Sequence, residues 1–447
     1  MKNNKFYLAV VALILVLTIT MPSCRRVGLD FPWQGNHEPG IQVDKAMVLY
    51  WNEKAATVLG APMRQPDRSR YYAIIEIAVH DALNNIKPRF ERFVLNKPNK
   101  SASSSAAVAS AAYWAIKGLN LQGAFPVDNW YDSSLALIPD GNAKEAGKLL
   151  GQSAAEAIVA NRANDGFTNI IPASPNPPDG TAPGAYRHTN LLDMRFIPNW
   201  GTVVKPFVVK TNSQFRPAGP YAVTSAEYAK DYKEIKAKGG RDISTRTSGE
   251  ELLARFWSEN RPSIIWNELA RKIMEGKKMD AWETARVFAL INTAMADGLN
   301  TAMDSKYHFY SWRPETAIHE GANDGNPSTT PDPAWTPFLI EVNNPANPAG
   351  HFVSPPVPEY PSAYAMYGGA TTAILQSIFR SDGISVELSS ANLPGPTIHY
   401  TSLSKAARDN SLSKVYAGWY FRKGALDGEE MGREIANYLL KHSFRKL

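Results

Sequence analysis

Helical periodicity runs through most of this 447-residue chain and limits its fold more than any other feature. Apolar residues recur at intervals of three and four in the alanine-rich segments from Tyr71 to Ile86, Ala106 to Asn120 and Ala143 to Asp165. Similar segments follow in the second half, and strand-like alternation is scarce. Because 44% of the residues are hydrophobic, the chain can fill a large core. We predict a mainly α-helical bundle, with one domain over residues 44–447 and no internal repeat.

Two segments rich in proline, glycine and asparagine interrupt this pattern. They run from Asn169 to Pro220 and from Ala322 to Pro361. Loops of this length inside a compact domain usually carry function or wrap over the surface. We therefore predict a bundle with long, ordered loops.

The first 24 residues are typical of an export signal. Two lysines precede an apolar run from Phe6 to Thr20, and Cys24 follows. The run is shorter than the ~20 residues that a membrane-spanning helix needs. We predict a lipoprotein signal over residues 1–24 with Cys24 as the lipidation site, a linker over 25–43, and a lipid anchor in a bacterial envelope membrane. An ordinary signal peptide or an anchoring helix remains the alternative.

Charge gives little support for a nucleic-acid partner. The chain has 48 basic and 42 acidic residues, a net charge of +6, spread evenly along its length. Proteins that bind nucleic acid usually concentrate positive charge on one face or stripe. We therefore predict no nucleic-acid binding.

Lys306 and Arg313 are two cations seven positions apart, followed at once by Pro314. If one helix continues to Arg313, the two side chains lie two turns apart on one face. A guanidinium and an ammonium that converge at a helix end suit a tetrahedral oxyanion. Cations at this spacing are more often solvated, so the pair alone does not decide the question.

Two further elements carry polar groups suited to an anion. Ser362 follows a proline at the start of an apolar helical segment, where free backbone N–H groups favour anions, although a serine there also serves as a simple helix cap. Lys414 is a third cation, and it leads into an aromatic cluster near the C-terminus.

In this order, the three elements resemble the signature of the superfamily of vanadium-dependent haloperoxidases and type 2 phosphatidic acid phosphatases, K-x6-R-P, P-S-G-H and S-R-x3-G-x-H-x3-D. The resemblance is closest to the bacterial haloperoxidase-like branch and covers most of the chain from about residue 44. It implies a helix-bundle fold and a site for vanadate or phosphate. The implied oxyanion-binding residues are Lys306, Arg313, Ser362, Ala363, Lys414 and Gly418.

The same alignment shows that the catalytic positions have changed. Tyr364 stands where the family has its acid/base histidine, and Tyr420 where it has the histidine that bonds vanadium or attacks phosphorus. Gly424 replaces the aspartate that orients the second histidine. A phenol has a pKa of about 10, against about 6.5 for imidazole, so it exchanges protons poorly near neutrality. We therefore predict a catalytically degenerate site.

Three histidines are candidates for a replacement base: His308, His351 and His399. Each is more readily explained as a surface or core residue. The chain has no nucleophile elbow, zinc-protease motif, phosphate-binding loop or C-x-x-C motif, and we predict no metal site of the ordinary kinds.

Three hypotheses follow. The first is an envelope lipoprotein that still binds a small oxyanion, or a phosphorylated or sulfated ligand, without turning it over. The second is an active phosphoesterase or peroxidase that uses Tyr420 or a recruited histidine. The third is a structural or interaction lipoprotein whose former pocket is filled by Tyr364 and Tyr420.

Overall fold

Helices make up most of the computed structural model, which describes residues 41–170, 178–188, 197–242, 244–339, 354–390 and 393–447. The predicted mainly α-helical fold is confirmed. In the described residues the α-helices are α1 (Ile41–Leu59), α2 (Gln65–Ile86), α3 (Ser104–Gly118), α4 (Val127–Ala136), α5 (Asn142–Asn161), α6 (Trp200–Val203), α7 (Ala226–Lys238), α8 (Ser248–Glu259), α9 (Pro262–Glu275), α10 (Ala281–Phe309), α11 (Pro314–His319), α12 (Ala363–Phe379), α13 (Leu403–Tyr416) and α14 (Arg422–His442). One 3-10 turn, Phe167–Asn169, follows α5.

A buried polar cluster joins two helix pairs that repeat one another. Helices α1 and α9 both carry the tripeptide Trp-Asn-Glu, and its asparagine is Asn52 in one and Asn267 in the other. The amide of Asn52 donates to Glu76 Oε1 of α2 at 2.7 Å, and that of Asn267 donates to Asn292 Oδ1 of α10 at 2.8 Å. Asn52 also donates to Asn267 Oδ1 at 3.0 Å, so the two pairs meet.

Each of these helix pairs also has a buried aspartate, five residues after Glu76 in α2 and five residues after Asn292 in α10. On α2, Asp81 accepts from three backbone N–H groups of residues 93–95 at 2.7–2.9 Å. On α10, Asp297 accepts from three backbone N–H groups of residues 207–209 at 2.6–3.0 Å. Each carboxylate fixes a loop to a central helix. The two helix pairs thus share a set of polar contacts, although we found no internal repeat in the sequence.

Glycines bring two further helix pairs into close contact. A Cβ on Gly151 of α5 would lie 2.3 Å from the backbone oxygen of Ala107 in α3. A Cβ on Gly432 of α14 would lie 2.1 Å from the backbone oxygen of Met366 in α12. Each of these glycines follows another glycine four positions earlier. The α3–α5 and α12–α14 pairs thus use the same packing device, with α2 and α10 between them.

One β-hairpin, not predicted from the sequence, follows α12. It pairs β1 (Gly383–Ser390) with β2 (Leu393–Ser402) in antiparallel fashion. Val386, Leu388 and Tyr400 are buried against the helices, while the other face is largely exposed.

The N-terminal predictions fall largely outside the described residues. Cys24, the predicted signal and the linker up to residue 40 are not described. Helix α1 begins at Ile41, three residues before the predicted start of the domain, and all described residues belong to one compact unit. No helix in the described ranges has the length and hydropathy needed to cross a bilayer.

Candidate functional site

Lys306 and Arg313 lie on different elements, so the condition that one helix continues to Arg313 is not met. Helix α10 ends at Phe309, and Tyr310 adopts a left-handed conformation with φ of 47°. Arg313 is extended, at φ −79° and ψ 155°, and is the residue immediately before α11. Pro314 explains this, because a proline excludes the helical conformation from the preceding residue and fits the first position of a new helix.

The Lys306 ammonium is fully engaged within the protein. Its side chain is buried, and Nζ donates to the backbone oxygens of Pro358 at 2.7 Å and Glu359 at 2.8 Å. A third hydrogen bond reaches the Tyr420 hydroxyl at 3.4 Å. An ammonium has three N–H donors, so all are used. Burial lowers the pKa of Lys306 well below its usual value, with a smaller contribution from Arg313.

The Arg313 guanidinium is also buried, and two of its five N–H groups donate to backbone oxygens. Nε donates to Val357 O at 2.7 Å and Nη1 to Trp419 O at 2.9 Å. Nη2 is buried and has no hydrogen-bond partner within the described part of the chain. The Tyr420 ring centroid lies 4.5 Å from Arg313 Cζ and 5.0 Å from Lys306 Nζ. The phenol ring therefore lies against both cations.

Lys414 is directed elsewhere. From α13 its buried ammonium donates to Trp257 O at 2.8 Å and Ser258 Oγ at 3.1 Å, in the last turns of α8. The Tyr364 ring centroid lies 4.7 Å from Lys414 Nζ. Burial lowers the pKa of Lys414 well below its usual value. The predicted set of three cations around one anion is thus divided, with Lys306 and Arg313 beside Tyr420 and Lys414 at the end of α8.

The other predicted oxyanion residues have structural roles. Ser362 is buried and caps α12, since its Oγ accepts from Ala365 N at 3.3 Å. Ala363, the first residue of α12, is half-buried. Gly418 has φ of 83°, and a Cβ there would lie 2.4 Å from Gly239 O. The glycine at 418 is needed for this turn and this close approach.

Glu359 provides a carboxylate that the sequence argument missed. The residue is buried, and its Oε1 accepts from Phe421 N at 3.0 Å, just before α14. Burial raises the pKa of Glu359 to about 7, while Lys306 and Arg313 oppose that rise. A Cβ on Gly424 would lie 2.2 Å from the same Oε1. A carboxylate from the loop before Ser362 thus occupies the space beside position 424, where the family signature has an aspartate.

Neither described candidate histidine joins this group. His308 is exposed in the last turn of α10, with its ring against Phe309. His399 is exposed on β2, where Nε2 lies 3.1 Å from Ser385 Oγ. His351 lies outside the described residues. Within the described ranges, no three histidine, cysteine, aspartate or glutamate side chains are grouped as a metal site would require.

These residues do not fit a bound vanadate or phosphate well. Tyr420, which the sequence resemblance aligns with the vanadium-bonding histidine, has a ring that lies against both Lys306 and Arg313. All three Lys306 donors already reach protein atoms, and Lys414 faces α8. Among the described residues, Arg313 Nη2 has no hydrogen-bond partner.

Comparisons with known proteins show which proteins this chain resembles. A family model described as the "VCPO second helical-bundle domain" matches residues 286–447. The vanadium chloroperoxidase of Curvularia inaequalis is 24% identical over 415 residues, covering 74% of this chain and 65% of that protein, slightly less than two thirds of its length.

Solved structures share the fold. The first bacterial vanadium-dependent iodoperoxidase superposes with a TM-score of 0.72 at 20% identity, covering 92% of this chain and 99% of the other. A bacterial vanadium-dependent chloroperoxidase in its apo form gives 0.60 at 17% identity, covering 84% and 93%. The helical architecture therefore agrees with that of the haloperoxidases. The family model and the chloroperoxidase relative, taken with this fold, show that the chain is similar to the vanadium haloperoxidases.

Proposed function

We propose that this chain is a catalytically inactive envelope lipoprotein of the superfamily, with a structural or interaction role. In this proposal the former anion position is filled from within by Tyr420. The observation that carries it is the Tyr420 ring, which lies 4.5 Å from Arg313 Cζ and 5.0 Å from Lys306 Nζ. A ring in that position would exclude an oxyanion from the side of the two cations that it covers.

The chemistry of the substituted positions supports this choice. A phenol is a weak base and nucleophile near neutrality unless its pKa is strongly lowered. Gly424 cannot orient a catalytic partner, and Glu359 beside it accepts a backbone N–H at the start of α14. The described candidate histidines, His308 and His399, are exposed and have other neighbours.

Activity assays test the proposal. The full chain, purified in detergent, is incubated with vanadate, peroxide and bromide or iodide, and separately with p-nitrophenyl phosphate. We expect no turnover above a protein-free blank, with a vanadium chloroperoxidase as the positive control. Turnover that disappears in Tyr420→Phe would instead support an active enzyme using the phenol.

A retained anion site is the second candidate, favoured by one observation. Arg313 Nη2 is buried without a hydrogen-bond partner in the described residues. A buried donor left unsatisfied costs about 1–3 kcal/mol, so a water molecule or a small anion there would be stabilising. Phosphate, sulfate, or a phosphorylated or sulfated ligand has suitable acceptors.

The membrane anchor is a separate part of the proposal and rests on the sequence around Cys24. Lipidation at this cysteine would hold the folded unit at a bacterial envelope membrane. The test is fractionation of cells that express the parent chain or Cys24→Ser after labelling with a radioactive fatty acid. We expect label and membrane association in the parent only; equal membrane association without label would refute the lipid anchor.

A further inference from the structure

A small cavity with aromatic walls adjoins Glu359 and Gly424. Its volume is about 70 Å³. That is roughly the share of two water molecules in liquid water, enough for a group of a few non-hydrogen atoms. The aromatic wall residues are Tyr221, Tyr228, Trp312, Tyr360 and Phe421. Tyr228 holds this wall together, since its ring centroid lies 5.5 Å from that of Phe421 and 6.5 Å from that of Trp312.

Two buried carboxylates complete the lining. Asp231 and Glu359 are 6% and 1% exposed. Each uses one oxygen to accept a backbone N–H near the start of α14, Asp231 from Lys423 at 2.8 Å and Glu359 from Phe421 at 3.0 Å. Among the described residues, no hydrogen bond engages the second oxygen of either carboxylate. The cavity therefore offers carboxylate oxygens to a donor. Burial raises the pKa of both groups, that of Glu359 to about 7, and a bound cation would favour their ionised forms.

The protein already places one ammonium on these rings. Lys423 Nζ lies 4.7 Å from the Tyr221 ring centroid and 6.0 Å from that of Tyr360. The same nitrogen donates to Asp427 at 2.7 Å. The charge of Lys423 is therefore balanced by Asp427 and leaves Asp231 and Glu359 to a ligand. Aromatic faces attract cations through the ring quadrupole. The position of Lys423 thus indicates that these rings can accept an ammonium group.

A hydroxyl in the wall also lacks an ordinary partner. Tyr228 is 4% exposed, and its buried hydroxyl makes no hydrogen bond of normal geometry among the described residues. The neighbouring Trp312 indole slightly favours the ionised phenol, but burial is the larger effect and raises the pKa of Tyr228. A ligand in the cavity could satisfy this hydroxyl.

We propose that this cavity binds a small organic ammonium ion, such as a methylated amine. The ring faces would receive the cation, and Asp231 and Glu359 would neutralise it. The two carboxylates would repel an anion. A neutral molecule would gain neither the cation–π attraction nor the ion pairs. Lys423 would compete with the ligand for Tyr221 and Tyr360. The cavity adjoins the former anion position through Glu359, which also interacts with Lys306 and Arg313, whereas the variants described below are at Asp231, Tyr221 and Lys423.

Ligand-detected NMR tests the proposal on the full chain in detergent. The methyl protons of methylammonium and dimethylammonium are followed by saturation transfer and line broadening. Ethanol and acetate are the neutral and anionic controls of similar size. We expect binding of the two ammonium ions only. Equal signals from ethanol or acetate would overturn the proposal.

Variants assign the binding to this cavity. Asp231→Asn keeps an acceptor for Lys423 N and should weaken binding about tenfold through the lost charge. Tyr221→Leu, at an exposed position, should weaken it about two- to fivefold. Lys423→Gln should strengthen it several-fold, because a competing cation is removed.

Matched controls separate these effects from loss of folding. Asp132→Asn and Tyr113→Leu make the same kinds of change at positions that do not line the cavity, and they should leave binding unchanged. The circular dichroism spectra of all variants should be the same. No detectable binding by either the parent or Lys423→Gln would overturn the proposal. So would affinity that is unaffected by both Asp231→Asn and Tyr221→Leu.

Discussion

The carboxylate of Glu359 occupies the space that a side chain on Gly424 would need. A Cβ on Gly424 would lie 2.2 Å from Glu359 Oε1. Any larger side chain at position 424, including the aspartate expected there from the sequence resemblance, would collide with Glu359 as it is placed in this chain.

This relationship predicts coupling between the two positions. Gly424→Ala should lower the free energy of unfolding by about 1–3 kcal/mol through overpacking. The same change in a Glu359→Ala background should cost much less, because the clashing oxygens are absent. Urea unfolding of the parent, both single variants and the double variant measures the coupling. Equal costs in both backgrounds would contradict the described contact.

Removal of the Tyr420 ring should open the space beside Lys306 and Arg313. Tyr420→Ala should lower stability by roughly 3–5 kcal/mol, as for other large aromatic deletions. Vanadate or phosphate should then raise the melting temperature of this variant but not that of the parent. Tyr400→Ala, which truncates another fully buried tyrosine, is the control and should show no such rescue. Equal stabilisation of parent and Tyr420→Ala would show that the ring does not block the anion.

The glycine contacts between α12 and α14 should be intolerant of a methyl group. Gly432→Ala puts a Cβ 2.1 Å from the Met366 backbone oxygen and should cost about 1–3 kcal/mol. Gly249→Ala is the matched control in the first turn of α8, where the nearest atom to an added Cβ is 4.0 Å away. The control should change unfolding by less than about 0.5 kcal/mol. Similar costs for both would argue against close α12–α14 packing.

Glu76 should give the parent chain a distinctive pH dependence. Burial raises the pKa of Glu76 to about 8, against an ordinary value of 4.5, and Asn52 and Arg271 only partly oppose this. The folded state therefore holds the proton more tightly than the unfolded state. This contribution to stability is fully present below about pH 4.5 and is lost as the pH rises through about 8.

Glu76→Gln removes that dependence while keeping a neutral polar group in the cluster. Between pH 5 and pH 9, its stability relative to the parent should rise by on the order of 4 kcal/mol. Urea unfolding at a series of pH values checks this, with the exposed Glu156→Gln as control. A pH-independent difference between Glu76→Gln and the parent would mean that Glu76 is not protonated in the folded chain.

Local sequence patterns predicted much of the fold. The helices followed from apolar periodicity, and the capping role of Ser362 was an alternative already evident from its position after a proline. The hairpin was missed although Val386 and Leu388 alternate with polar residues, because Pro394 and Pro396 argue against a strand. These prolines are tolerated because β2 is paired with β1 alone among the described strands.

The site was less predictable because its contacts are tertiary. The spacing of Lys306 and Arg313 was compatible with one helix, whereas the helix ends before Tyr310, which has a left-handed conformation. Nothing local showed that Lys414 would point towards α8. Glu359 lies three residues before Ser362, but only the folded chain brings it beside Gly424.

The central claim is that Tyr420 has closed the anion position. Isothermal titration of vanadate into the full chain, beside Arg313→Ala, tests it most directly. We predict no saturable binding up to millimolar vanadate in either protein. Micromolar binding in the parent that Arg313→Ala abolishes would contradict the account and establish a retained anion site at Arg313.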